Sequence, residues 1–408
     1  MDSTIATATS PASIIDIDDL GLDRGAHLLI KRALRELPVG GRLGVRGQAP
    51  DLLVHLAAWC RSQGHQLEPA SPPVVAWVIR GSAETGRWRG AEQAGKAAAS
   101  EQGAVVDHPK ASWGLAARGA TVEAGAPEFH FALAVKSEIW ADEAGRLYTQ
   151  AAAAQWNPDT AIDWDASFDL PAEVEDAVVQ LMTYLIENEN AALLVPARFL
   201  GQIHPHFKEV IQVLAIQVAD EARHVEVFTR RALLKGRRLG LSTASGQASL
   251  KTLVDEPDFA LASFLLSVLG EGSFLNLLSF LQAYGPDPVT RQIARLAAQD
   301  EARHVAFGMA HLQFQLAGDP TLRHRLALAI ERRHHALAQT SGLNEEVFDA
   351  LVLLAAGAWR PTAIGEGYAR VQALNSEMAA GRRRRLMKLG FEERAAEGLS
   401  ELHTRNFM

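Results

Sequence analysis

From about residue 171 onward, apolar positions recur at three-four spacing almost without interruption, the mark of amphipathic helices. Pro171 opens a helix to about 200, and the break "GQIHPH" (201–206) precedes a second helix over about 207–235. A third covers 257–285, "PDFALASFLLSVLGEGSFLNLLSFLQAYG", and ends at Gly285-Pro286; a fourth runs from about 288 to 317. Long helices with short or medium connections predict a four-helix bundle. Further helices are expected at about 320–339, 344–358 and 361–380, and "GRRRR" (381–385) is expected to open a short helical tail.

The texture ahead of the bundle is different. Residues 14–82 mix β-like runs, "RLGVRG" (42–47) and "VVAWVIRG" (74–81), with the helix-like "GAHLLIKRALREL" (25–37) and "PDLLVHLAAWCRSQGH" (50–65). The order β-α-β-α-β predicts a small two-layer α/β sandwich. Residues 83–127, rich in Ala, Gly and charge, read as a linker. Residues 128–170, punctuated by Trp140, Trp156 and Trp164, read as a lead-in segment that packs on the bundle. The expected organisation is therefore an α/β domain over 1–82, a linker over 83–127, the lead-in over 128–170 and a helical domain over 171–408. The expected fold class is mainly α, a four-helix bundle with extra C-terminal helices.

Composition removes several classes of function. A hydrophobic content of 48% and a charged content of 22% are ordinary for a soluble globular chain. The net charge of −8 offers no general attraction for nucleic acid. A single cysteine, Cys60, excludes an internal disulfide and suits a reducing compartment. The first twenty residues, "MDSTIATATSPASIIDIDDL", carry neither a basic region nor a long apolar run, so no secretory signal is expected. The longest strongly apolar stretch, Phe259 to Gly270, is about half of what a membrane span needs. These features lead to the expectation of a soluble cytoplasmic protein with no nucleic-acid and no membrane partner.

One motif changes the picture. "DEARHV" occurs at 220–225 and again, letter for letter, at 300–305. On a helix, residues three apart share a face, so Glu221 projects with His224 and Glu301 with His304. Both pairs sit in apolar surroundings: Val213, Leu214, Ile216 and Val218 precede the first, and Val225, Val227 and Phe228 follow it. Burying carboxylates and imidazoles without compensation costs several kcal/mol, and a pair of divalent metals supplies the missing charge. Di-metal bundles combine two such Glu-x-x-His helices with one Glu from each of two others. The third helix offers only Glu271, isolated in "LLSVLGEGSFLNLL" and 30 residues before Glu301. The first helix offers Glu187 and Glu189; Glu189 continues the apolar stripe and lies 32 residues before Glu221, so it is preferred, with Glu187 as the alternative. Asp220 and Asp300 are placed to accept the second N–H of a ligating His, each from the opposite motif. Arg223 and Arg303 can then offset their charge.

Residues 171–317 thus resemble the ferritin-like di-iron carboxylate superfamily, whose Asp-Glu-x-x-His form is shared with ribonucleotide reductase small subunits, bacterial multicomponent monooxygenases and related oxidases. The resemblance implies a non-haem centre of two iron ions, or a manganese–iron pair, that activates O2 as co-substrate. The implied ligands are Glu189, Glu221, His224, Glu271, Glu301 and His304. Radical-generating reductase subunits carry a Tyr four residues after the first motif His, where this chain has Phe228. Ferritin storage subunits lack an α/β domain. The expected function is therefore an O2-dependent oxygenase or oxidase acting on a small organic substrate in the bundle. Residues such as Leu193, Phe274 and Phe307 would bound the substrate cavity but are by default ordinary core residues, and an electron-donor protein and a second copy of the chain are expected partners. The alternatives are a metal-binding scaffold or a sulfur-handling protein with a structural metal pair. His311, seven residues after His304 and so on the same face, is expected to be a satisfied core or surface histidine rather than an extra ligand or acid/base, and the arginines at 382–385 a solvated helix face rather than a grip for a phosphate or an acidic partner. Residues 34–67 resemble the TusA/SirA-like sulfur-carrier fold, but the Cys-Pro of that family is absent from "GLDRGAH" (21–27). Cys60 falls in the second helix, where a buried apolar role is expected.

Overall fold

The computed structural model describes residues 13–82, 90–338 and 345–402. The chain divides into two compact units, residues 1–105 with 110–130, and residues 106–109 with 131–408. The first contains β1 (Ser13–Asp16), α1 (Ala26–Arg35), β2 (Arg42–Arg46), α2 (Leu52–Gln63), β3 (Gln66–Pro69) and β4 (Ala76–Ile79). The sheet order is β1-β2-β4-β3, with β1 parallel to β2 and the other two pairings antiparallel. Ile30 and Leu34 of α1, Leu52, Leu56 and Cys60 of α2, and Leu43, Val45 and Val78 of the sheet form one apolar core. Helices cover the sheet as the alternating order predicts. The strand that periodicity misses is β3, an edge strand "QLEP" with no buried residue; without a buried face it has no alternation to read.

Cys60 is 1% exposed within this core. Burial pushes its thiol up to about 11, against a small opposing effect of Arg61. A protonated, enclosed thiol is a poor nucleophile, which argues against sulfur transfer through Cys60.

The segment expected to be a linker is folded where it is described. β5 (Glu92–Gln93) pairs with β6 (Thr121–Val122), and Ala94, Ala104 and Trp113 are buried. Trp113 Nε1–H donates to Glu92 Oε1 at 3.0 Å. Glycine richness here reflects tight turns, several with positive φ, so residues 90–105 and 110–127 of the expected linker belong to the first compact unit, while 106–109 belong to the second; residues 83–89 lie outside the described residues.

The second unit begins with α3 (Lys136–Ile139), α4 (Ala144–Ala153) and α5 (Pro158–Ala161). The bundle follows: α6 (Ala172–Leu200), α7 (Lys208–Leu233), α8 (Ala244–Val254), α9 (Phe259–Ser263), α10 (Gly272–Tyr284) and α11 (Pro288–Gly318). Then come α12 (Leu322–Ala338), α13 (Glu345–Ala356), α14 (Pro361–Lys388) and α15 (Glu393–Leu402). α6 packs along α7, α10 along α11, and α7 meets α11, giving the expected mainly α bundle with extra C-terminal helices. Asp287 caps α11, its Oδ1 accepting from Thr290 N at 2.8 Å, with Pro288 at the first helical position.

Two helical expectations change. The third helix is not uniform: Phe264–Glu271 between α9 and α10 is a π-helix, every residue of it buried. Such wide turns carry no periodic signal and often occur at functional sites. The whole stretch Phe259–Tyr284 is long and apolar enough to cross a membrane, more than its first half alone suggests, yet 83% of its most apolar window is buried inside the unit. Its hydrophobicity is accounted for by packing. The arginine tract does not open a new helix either; it lies inside α14, which continues to Lys388.

Candidate metal centre

The repeat places its two copies on α7 and α11. On α7, Gln217, Glu221, His224, Phe228 and Arg231 recur at alternating four and three spacing and are all buried. On α11, Ala297, Glu301, His304, Gly308 and His311 do the same. One face of each helix is thus committed to the interior, where α7 and α11 meet. Glu189 enters from α6 and Glu271 from the end of the π-helix.

Two groups of side chains result. Glu189, Glu221, His224 and Glu301 can bring one ligand atom each to within 4.8 Å of one another, and so can Glu221, Glu271, Glu301 and His304. Glu221 and Glu301 belong to both. His224 Nδ1 lies 3.2 Å from Glu221, 3.4 Å from Glu301 and 3.7 Å from Glu189. His304 Nδ1 lies 2.9 Å from Glu221 and 3.3 Å from Glu301. Glu271 Oε1 accepts from Gln217 Nε2 at 3.0 Å. All six implied ligands therefore meet at one place. Glu189 is 1% exposed, whereas Glu187 lines a separate surface groove with Asn190 and Gln247.

The imidazoles are held from behind. His224 Nε2 lies 3.2 Å from Asp300 Oδ2, and His304 Nε2 lies 3.3 Å from Asp220 Oδ2. The crossing between motifs is the one expected from the sequence. A carboxylate at Nε2 keeps the proton there and leaves the Nδ1 lone pair for a metal. Arg223 bridges both aspartates at 2.6 and 2.8 Å, and Arg303 pairs with Asp300. Two contacts were not legible in sequence. Gln155 Nε2 donates to Asp220 at 2.7 Å and Trp156 Nε1–H to Asp300 at 2.8 Å. Trp156 also takes the Arg223 guanidinium over its ring at 4.6 Å. They come from the lead-in segment, 65 and 144 positions from their partners, which no local pattern reports.

Whether the donor set suits a metal pair can be judged from its electrostatics. Glu189 Oε1 and Glu271 Oε2 are buried without a hydrogen-bond partner, and buried polar atoms are rarely left so; Glu221 Oε1 and Glu301 Oε1 face imidazole nitrogens at 2.9 and 3.4 Å. Four ionised glutamates match two divalent cations, while Asp220 and Asp300 are matched by Arg223 and Arg303. Hard carboxylates with one imidazole per metal suit iron and manganese. Without metal, protons take over the compensation. Burial, then the neighbouring Glu221 and Glu301, push the Glu189 carboxyl well above its ordinary value. Burial, then Glu301, do the same to Glu271. Burial would lower His224 and His304, but the surrounding carboxylates outweigh it and raise both well above the usual imidazole range.

These shifts give a pH dependence of definite sign. Groups whose metal-free values are raised hold their protons to higher pH than usual, and ligation removes them. Metal loading is expected to acidify a weakly buffered solution. The apparent affinity should rise with pH for as long as the metal-free groups hold these protons, by about tenfold per pH unit for each proton released. Calorimetric titration with Mn(II) in buffers of different ionisation enthalpy measures the proton count; an affinity that falls with pH would contradict the assignment.

His311 lies outside both groups. Its Nδ1 is 3.2 Å from the Trp140 carbonyl, and its ring contacts Phe259 and Phe307. Burial holds it down at about 4, so it is a neutral core histidine. A narrow apolar crevice beside the centre is walled by Val195, Phe199, Leu214, Leu266 and Phe307, with Gln217 at its polar end. Of the three expected wall residues only Phe307 lines it. Its volume of about 10 Å³ is roughly that of one water site.

No protein-family model matches the chain, and no curated protein matches it. Solved structures do. A point variant of an R2-like ligand-binding oxidase with aerobically reconstituted Mn/Fe cofactor is 20% identical over 61% of this chain and 94% of its own, with a TM-score of 0.46. A second variant, with aerobically reconstituted Fe/Fe cofactor, also gives 20%, 61%, 94% and 0.46. The R2-like ligand-binding oxidase with aerobically reconstituted metal cofactor after photoconversion is 20% identical over 65% of this chain and 92% of its own, with a TM-score of 0.41.

Proposed function

We propose that the chain is a di-metal oxidase or oxygenase, with an Fe/Fe or Mn/Fe pair, O2 as co-substrate and a small apolar organic molecule as substrate. The observation that carries this reading is the pair of interlocked ligand groups sharing Glu221 and Glu301, with an unpartnered buried oxygen on each of the unshared Glu189 and Glu271. Glu189 and His224 would hold one ion, Glu271 and His304 the other, and Glu221 and Glu301 both. A bound pair of this kind supplies redox chemistry toward O2 that side chains alone lack.

The protein's own residues define the rest. Asp300 and Asp220 fix the tautomer of His224 and His304. Gln217 orients Glu271 by donating to one of its oxygens. Arg223, clamped by Gln155 at 2.6 Å, ion-pairs with both aspartates. Burial would raise the Asp220 and Asp300 carboxyls, but the facing imidazoles hold both below their ordinary value. Phe199, Leu266 and Phe307 exclude water on the crevice side, which strengthens every charge interaction within. A substrate must displace these side chains to enter, so an apolar molecule is favoured.

The test is anaerobic loading with Fe(II), or with Mn(II) and Fe(II), followed by O2. Stoichiometric O2 uptake with a transient visible absorption is expected, lost in Glu301→Ala. Tight metal without O2 uptake would leave a structural metal scaffold.

A further inference from the structure

The loop that follows α7 turns its leucines outward. Its backbone is tied to α6. Gly240 N–H donates to Thr183 Oγ1 at 2.8 Å, Leu241 N–H to Gln180 Oε1 at 2.7 Å, and Gln180 Nε2 returns a bond to the Leu241 carbonyl at 2.8 Å. Arg237 adds an ion pair with Asp176 at 3.4 Å. The loop is thus fixed by side chains of α6 rather than by helix or strand bonds. Yet Leu239 is 47% and Leu241 58% exposed. Arg238 beside them is exposed too and forms no ion pair among the described residues. Leaving two leucines in water on a pinned loop forgoes the stabilisation their burial would give, and clustered apolar exposure marks an interaction surface.

Beside the loop lies a groove between α6, α13 and the start of α14. Its volume is about 670 Å³, room for several side chains. Asp176 and Gln180, which anchor the loop, also line the groove, so the two border one another on one face. Ala177, Leu353 and Ile364 give it an apolar lining, and Trp359, between α13 and α14, is 69% exposed at its side. Glu173, Glu346 and Asp349 add three exposed carboxylates, none with an ion-pair partner among the described residues. The groove is therefore apolar and negative, and the loop apolar and positive. Within one chain they do not meet: Arg238 pairs with none of the three carboxylates, and neither leucine lines the groove.

We propose that this face binds a second copy of the chain, with the Arg238–Leu241 loop of each copy seated in the groove of the other. The complement of the groove in charge and polarity is present on the same chain and borders it. A two-fold axis between loop and groove pairs both copies reciprocally and closes the assembly at two. The leucines supply apolar burial. Arg238 meets carboxylates and an indole, whose face also attracts a guanidinium. Pinning the loop beforehand lessens the entropy lost on association. None of these residues is a metal ligand, so the interface stands apart from the function proposed above.

The test is analytical ultracentrifugation of the full-length chain over a concentration series. A reversible dimer is expected. Arg238→Glu in one variant, and Glu346→Lys with Asp349→Lys in another, should each weaken dimerisation at least about tenfold by bringing like charges together. All three side chains are exposed, so the unfolding midpoints should hold. Mixed in equal amounts, the two variants should pair about as tightly as the native chain. In that mixed dimer one contact has its charges exchanged and the other is native. A chain that stays monomeric at every concentration would overturn the proposal, whether the groove then takes a small amphipathic amine or nothing. A dimer that neither variant weakens, or assemblies that grow beyond two, would overturn it as well. Variants that weaken dimerisation but do not recover on mixing would overturn the reciprocal two-fold arrangement.

Discussion

Replacing Glu221 or Glu301 with alanine is expected to empty both metal positions at once. Each carboxylate belongs to both ligand groups, so its loss removes a donor from two ions. Glu189→Ala and Glu271→Ala should behave differently. Each touches one group only, leaving the other four-residue set intact. Elemental analysis after dialysis should therefore give near-zero metal for the shared glutamates and one ion per chain for the unshared ones. Asp220→Asn and Asp300→Asn act behind the ligands and should weaken metal binding by about 10–100-fold without changing the number of sites. If all four glutamate variants lost metal to the same degree, the shared-ligand geometry would be wrong.

The second large effect concerns stability. Arg231, one turn pair beyond His224 on the buried face of α7, is completely buried. It grips Glu175 at 2.7 and 3.0 Å, Asp287 at 2.8 Å and Thr290 Oγ1 at 3.0 Å. The network ties α6, α7 and the start of α11 together, and Asp287 is also the cap of α11. Arg231→Met removes the only cation and leaves two buried carboxylates facing each other. Breaking such a pair from one side costs about 3–5 kcal/mol. A denaturant midpoint lowered accordingly, with an unchanged slope, is the expected result. Adding Glu175→Gln and Asp287→Asn should recover much of the loss, because the repulsive charges go too. A change below about 1 kcal/mol in the single variant would show the network to be no more than a surface-grade interaction.

Much of the architecture was legible because it is periodic. Helices longer than twenty residues advertise their buried face many times over, so α6, α7 and α11 fall within one or two residues of their expected ends. The site was legible because a carboxylate inside an apolar run is costly and therefore informative. Glu271 is the clearest case, a lone charge on a helix segment that is otherwise entirely buried and apolar or small. The same logic, applied more widely, would have found Gln217 and Arg231, which sit on the His224 stripe at four and three spacing. They are polar residues at core positions, and each has a buried partner. What no pattern could provide are contacts set by the tertiary fold. Trp156 and Gln155 reach the aspartates from a short segment without helical periodicity. The π-helix shifts the register within one apolar run where any register looks equally apolar. Arg382 and Arg385 read as surface because four consecutive arginines usually are, and the packing of α14 on α10 buries Arg382 and partly covers Arg385.

The central claim, that six residues from four elements hold two metal ions side by side, is tested most directly by an anomalous-scattering map of the metal-loaded protein. Two peaks are predicted, one among Glu189, Glu221, His224 and Glu301 and the other among Glu221, Glu271, Glu301 and His304, with Nδ1 of each histidine as the ligating nitrogen. A single peak, or metal bound elsewhere while the two histidines stay paired to carboxylates through protons, would contradict it.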